Sequence, residues 1–195
     1  MTNSKMLQSL RTLLDETPAG FWDDDIDCYP VLSIAQLEII KLLAPKHSQA
    51  LRDIVTTVSQ TGIIATASNG VALPPTFYAI WSLKAHPTGS AQKSCIRREG
   101  DEYYYQDNPY LTSENDSLYY KIYNTKIYFD IDFAAGGITL DYIQKPPDIS
   151  STVNPTLNSI THNAIIYYAW GYLLNKSKLD SSGAFSLFYK ALESL

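Results

Sequence analysis

The chain has 195 residues, 45% hydrophobic and only 18% charged, with 15 Lys plus Arg against 20 Asp plus Glu. That length suits one compact body with a conventional core, and the composition excludes disorder. A formal net charge of −5 opposes a broad phosphate-gripping face, and no apolar run approaches the roughly 20 residues that span a bilayer. The start lacks a signal-type apolar region, so synthesis and retention in a cytoplasm is expected, with Cys28 and Cys95 as free thiols. Fifteen tyrosines and few charges leave much neutral surface, which suits protein partners.

In chain order, Met6, Leu7, Leu10, Leu13 and Leu14 share one face of a helix over Ser4–Leu14, which should stop near Thr17-Pro18-Ala19-Gly20. An exposed Phe21-Trp22 and a solvated acidic turn, Asp23–Asp27, follow. Ser33 and Gln36 fit a capping box opening a second helix to Leu43. Leu51, Ile54, Val55 and Val58 recur at helical spacing, which predicts a third helix ending before Gly62. Sheet is expected from Ile63, with a hairpin-type turn at Asn69-Gly70 and a strand over Phe77–Leu83. His86–Ser117 reads as a long polar loop or extended hairpin. Strands Tyr119–Tyr123, Lys126–Ile131 and Ile138–Ile143, with turns at Asn124-Thr125 and Gly136-Gly137, predict a meander. Asn154-Pro155 should cap a long helix to about Asn175, and Asp180 a final one. The fold class is therefore α+β, with terminal helices (about 4–60 and 155–193) packed around an inserted antiparallel sheet (about 63–145) in a single domain, 1–195.

Chemistry is sparse. His47, His86 and His162 have no partner at metal-ligand spacing, with His162 a polar face residue, and neither cysteine has a nearby base. The aspartate run lacks the glycine and terminal glutamate of a calcium loop. Phosphate-loop and serine-elbow motifs are absent. No catalytic residue, cofactor or metal is assigned.

Two regions point to partners. Tyr103, Tyr104, Tyr105 and Tyr110, beside Arg97, Arg98, Glu99, Asp101 and Glu102, put aromatic and charged groups on the segment least needed for a core. Phe185, Phe188 and Tyr189 line the apolar side of the last helix and complete the candidate partner interface. The block Ala164–Leu174 is apolar around most of the wheel and must be covered on nearly all sides.

The order of these pieces resembles phage head-to-tail adaptor (connector) proteins. Leu13–Ile26, where a leucine-rich helix leads through a turn to Phe-Trp and an acidic residue, looks like their opening. Leu73–Ile80 resembles their proline-plus-aromatic strand entry, and Tyr119–Pro147 their meander. Asn163–Leu195 is similar to their paired terminal helices, broken at Asn175–Leu179. The resemblance implies a structural, non-enzymatic virion protein at the head–tail interface. It implies a ring of about twelve copies that binds the portal, extends a channel through which DNA passes without specific binding, and docks tail or nozzle proteins, with no membrane role. Cys28-Tyr29-Pro30 and the long segment 86–117 depart from the simplest members. Two other readings follow from composition: a carbohydrate- or receptor-binding tail module, from the tyrosine-rich loop, and a small cell-wall hydrolase whose carboxylates the fold alone assembles.

Overall fold

Residues 1–15, 21–65, 69–87, 89, 91–97, 117–129 and 133–195 are described by the computed structural model. They form an α+β chain of two units, Met1–Ile54 with Lys145–Leu195, and Val55–Gln144.

In the helical unit, α1 (Asn3–Leu13) is capped by Thr2, whose side chain accepts from Lys5 N, and it buries Met6 and Leu10. Helix α2 (Tyr29–Leu43) buries Leu32, Ile39, Ile40 and Leu43, each such side chain contributing about 2 kcal/mol. Helix α3 (His162–Lys176) is the centre of the unit: α1, α2 and α4 (Ser182–Glu193) all pack on it. That position explains why its sequence is apolar nearly all round. Lys178, at φ 60°, reverses the chain after α3, and Asp180 Oδ1 accepts from Ser182 N at 2.9 Å to start α4.

Several expected elements are corrected. The second helix begins at Tyr29, not Ser33, because a π-helical turn over Asp24–Cys28 feeds straight into it and Pro30 sits in its first turn, where no N–H is missed. Ser33 and Gln36 are therefore inside α2, and their polar atoms serve other partners. The third helix is absent: after a 3₁₀ segment, Gln49–Ile54, the chain enters β1 (Val55–Ala65). The β-branched run Val55-Thr56-Thr57-Val58 suits a pleated surface, and the three-four spacing there was coincidental. Asn154 does not cap a helix. Its Oδ1 accepts from Asn3 N at 2.9 Å, and α3 starts only after a 3₁₀ turn, Ser159–Thr161, capped by Asn158.

The sheet unit holds seven strands: β1, β2 (Val71–Ala72), β3 (Phe77–His86), β4 (Lys93–Arg97), β5 (Ser117–Tyr123), β6 (Lys126–Phe129) and β7 (Phe133–Gln144). Their order is β1-β7-β3-β4-β5-β6-β2. The pairs are antiparallel except β4–β5, which is parallel, so the sheet is mixed where an antiparallel one was expected. Of the meander, the β5–β6 hairpin stands, closed by Asn124 and Thr125 at φ 45° and 61°. The next strand instead inserts between β1 and β3. Gly136-Gly137 lies within β7 rather than in a turn: a Cβ on Gly137 would sit 2.9 Å from Gln60 O, so the bare backbone permits the close β1–β7 approach. Asn69-Gly70 does not join paired strands, since β2 pairs with β6. The core packs Leu83, Ala85, Leu118, Tyr120, Ile127, Phe129, Ile138, Leu140 and Tyr142.

Candidate partner-binding surface

The face opposite that core follows from the register. Thr57, Asp141 and Ser82 stand in one row across β1, β7 and β3, and Ser59, Thr139 and Lys84 in the next. Asp141 accepts from Thr57 Oγ1 at 2.5 Å and from Ser82 Oγ at 2.6 Å, so its charge is spent on neighbouring hydroxyls. Near it, a concavity of about 410 Å³ is lined by Ser59, Gln60, Thr61, His86 and Thr139 over the glycine pair, with His86 Nε2 3.2 Å from Thr139 Oγ1. This is a neutral, hydroxyl-rich surface. Among the described residues no group of three His, Cys, Asp or Glu is placed to hold a metal ion.

Of the residues expected at a partner interface, Arg98, Asp101, Tyr103, Tyr104, Tyr105 and Tyr110, with Glu99 and Glu102, lie outside the described residues. Arg97 ends β4 and is exposed, near Tyr120, whose phenol burial pushes up to about 12 against the pull of that cation. The three α4 aromatics separate. Tyr189 is 56% exposed and Phe185 half-buried, whereas Phe188 is 1% exposed and belongs to the core of the helical unit. All three join one cluster: Tyr168 meets Phe185 at 5.9 Å and Phe188 at 5.2 Å, edge to face, and Phe188 meets Tyr189 at 5.1 Å. Gly171 makes room for this, since a Cβ there would lie 3.1 Å from the Phe185 ring.

The acidic turn is more organised than a solvated loop. Asp23 Oδ1 accepts from Asp25 N and Ile26 N, both at 2.9 Å. Arg11, nearly buried on α1, donates from Nε to Asp24 at 3.0 Å and from Nη2 to Trp22 O at 2.8 Å. From the end of α3, Lys176 Nζ reaches Asp27 at 2.7 Å and lies 5.3 Å from the Trp22 ring centroid. The Lys176 hydrogen bond holds the Asp27 carboxyl below its usual range despite an opposing desolvation effect. Trp22, expected to be exposed, is 7% exposed under this clamp, while Phe21 is 83% and Ile26 76% exposed. Sequence reading missed the clamp because Arg11 and Lys176 are 165 positions apart, a pairing no local pattern encodes.

His162, expected on a polar face, is buried at the start of α3 with Nε2 3.0 Å from Leu157 O. Cys28 is buried and Cys95 half-buried, and both are free thiols. Among the described residues no helix is long and apolar enough to cross a membrane.

No curated protein matches the chain. A family model described as SU10 adaptor protein matches residues 1–195, the full length that carries the Phe21-Trp22 turn, the sheet and the paired α3–α4 helices. The chain belongs to the SU10 adaptor protein family, a family of phage head-to-tail adaptors.

Proposed function

We propose that this phage adaptor forms a ring of about twelve copies beneath the portal, extends the DNA channel and docks tail or nozzle proteins, acting as one structural domain without catalysis. The observation that carries this reading is the family match over all 195 residues. A ring subunit needs large side faces that tolerate close approach, and 18% charge with 15 tyrosines supplies them. A net charge of −5 suits a wall past which phosphates slide, because a basic wall would retain them. Arg97, Arg98, Asp101, Tyr103, Tyr104, Tyr105, Tyr110, Phe185 and Tyr189 are assigned to contacts with neighbouring copies, portal or tail, with Phe188 supporting Tyr189 from beneath.

The test is loss of the chain from the virus that encodes it. Particles lacking it should accumulate as filled heads without joined tails, and supply of the chain in trans should restore joining. Tailed, infectious particles made without the chain would overturn the reading.

A further inference from the structure

Strand β1 is an edge of the sheet: it pairs with β7 and, among the described residues, with no other strand. In an antiparallel ladder every second residue directs its N–H and C=O away from the neighbouring strand, so the outer side of β1 carries a row of backbone donors and acceptors. Beyond the β1–β7 ladder, no backbone hydrogen bond joins β1 to a described residue. Natural sheets protect such edges with charges, proline or very short strands. β1 is 11 residues long, and Val55–Ala65 contains no charged residue and no proline. The opposite edge, β2, is of the short kind, at 2 residues. The ladder to β7 is regular from Val55 to Thr61 and shifts register only beyond it. Along that stretch Thr57, Ser59 and Thr61 are exposed on one face, and a Cβ on the following Gly62 would meet nothing within 4 Å. The other face carries Thr56, Val58 and Gln60, half-buried, with Val58 packed on the sheet core.

We infer that β1 of one copy pairs antiparallel with β1 of a second copy over Val55–Thr61, joining two sheets into one across a two-fold axis. Length selects this partner. A strand that satisfies the whole outer row must be as long and as regular as that stretch. β1 itself supplies such a strand, β2 is far shorter, and the remaining described strands are flanked on both sides. Side-chain parity agrees. Pairing centred on Val58, the middle of the stretch, sets residues of like face opposite one another: Val58 against its own copy, and Thr57 against Ser59 of the second copy. The hydroxyls then meet on one face, and the half-buried Val58 gains apolar cover on the other. With no charge in the strand, self-pairing opposes no like charges along it. Asp141, beside Thr57 on β7, is one strand removed, so the two Asp141 carboxylates stay at least roughly 14 Å apart, three strand spacings and beyond the Debye length of about 8 Å. A two-fold contact closes at two copies and cannot repeat around a ring, so the pairing belongs to the free chain and does not depend on the adaptor reading. It covers, before assembly, an edge that would otherwise template indiscriminate pairing.

The experiment is sedimentation velocity of the purified full-length chain, alone, across a concentration series. The wild type should pass from monomer to dimer, and amide exchange should slow at alternate residues of Val55–Thr61 as the dimer fills. Ser59 is exposed, with its hydroxyl 3.4 Å from Thr139 Oγ1, so substitution there should leave the monomer folded, which circular dichroism checks. Ser59→Lys alone, or Ser59→Glu alone, brings like charges together across the axis and should weaken association at least about tenfold. An equimolar mixture of the two variants should recover the dimer, since each contact then joins opposite charges. A wild type that stays monomeric at every concentration, single variants that associate as well as the wild type, or a mixture that stays monomeric would each overturn the inference and leave the adaptor reading intact. Adding the portal ring of the same virus tests the other occupant: β1 amides protected only when portal is present would assign the edge to a portal strand, and self-pairing would be wrong.

Discussion

Ser33 Oγ accepts a hydrogen bond from the backbone N–H of Ile149 at 2.8 Å, joining the middle of α2 to the irregular segment that leads into α3. One turn further along α2, Gln36 Oε1 accepts from Thr156 N at 3.0 Å, and from α1 Asn3 Nδ2 donates to Ser150 O at 2.7 Å. Segment 145–158 has no regular structure of its own, so these side chains satisfy backbone groups that a helix or sheet would otherwise satisfy. Ser33→Ala leaves the buried Ile149 N–H without its acceptor and should cost about 1–3 kcal/mol. Chemical denaturation measures this, and hydrogen exchange at Ile149 should accelerate in the variant.

Phe188 and Tyr189 are adjacent in sequence but differ in burial. Phe188→Ala empties the centre of the α3–α4 aromatic cluster and should destabilise the helical unit by about 3–5 kcal/mol. Tyr189→Ala should change stability by less than about 0.5 kcal/mol and act instead on assembly. Thermal unfolding of the free chain, compared with loading onto the portal, separates the two effects.

The turn clamp predicts a graded response. Arg11→Ala removes a nearly buried guanidinium bonded to Asp24 and Trp22 O and should cost roughly 2 kcal/mol. Lys176→Ala loses a more exposed pair and should cost less than about 1 kcal/mol. Both should raise Trp22 exposure, read as a red shift of tryptophan emission in variants that keep only Trp22 fluorescent.

His162 makes stability depend on pH. Burial holds its imidazole below the usual 6.5, and the nearby N-terminal charge acts in the same direction, against the hydrogen bond to Leu157 O. The folded state thus binds a proton less readily than the unfolded one. Stability contributed by neutral His162 is full above pH 6.5 and is lost as pH falls below that value toward the lowered folded one. Denaturation midpoints measured from pH 7.5 to 5 should fall with acid, and His162→Asn should flatten that slope.

The fold class, the first and last helices and the β5–β6 hairpin were legible because each rests on local signals: apolar periodicity and a φ-permissive turn. The losses share one cause, residues whose partners are remote in sequence. Ser33 and Gln36 match a cap locally yet bond residues beyond 145, and Asn154 matches a cap yet bonds Asn3. Gly136-Gly137 reads as a turn because the contact that needs a bare backbone is with Gln60, on another strand. Val55–Val58 carried a helical spacing that β-branching overrode. Of the candidate interface residues, Tyr189 and Arg97 are exposed and Phe188 is buried, a difference set by tertiary packing, and the order of the Phe21–Ile26 turn comes from a clamp whose members are remote in sequence.

Gly137→Ala is the corresponding test of the sheet. The added methyl would press on Gln60 O and should destabilise the β1–β7 pairing by about 1–3 kcal/mol, whereas alanine at a simple inter-strand turn position away from other backbone would be accommodated. Denaturation of the variant, with exchange rates along β1, reads the effect directly.

The central claim is that the chain is the ring between portal and tail, and its most direct measurement is co-sedimentation of the purified chain with the portal ring of the same virus, with the bound ratio determined by mass. The account predicts saturable binding at a fixed stoichiometry, in a closed ring. A folded chain that leaves a competent portal unbound at every concentration would contradict it.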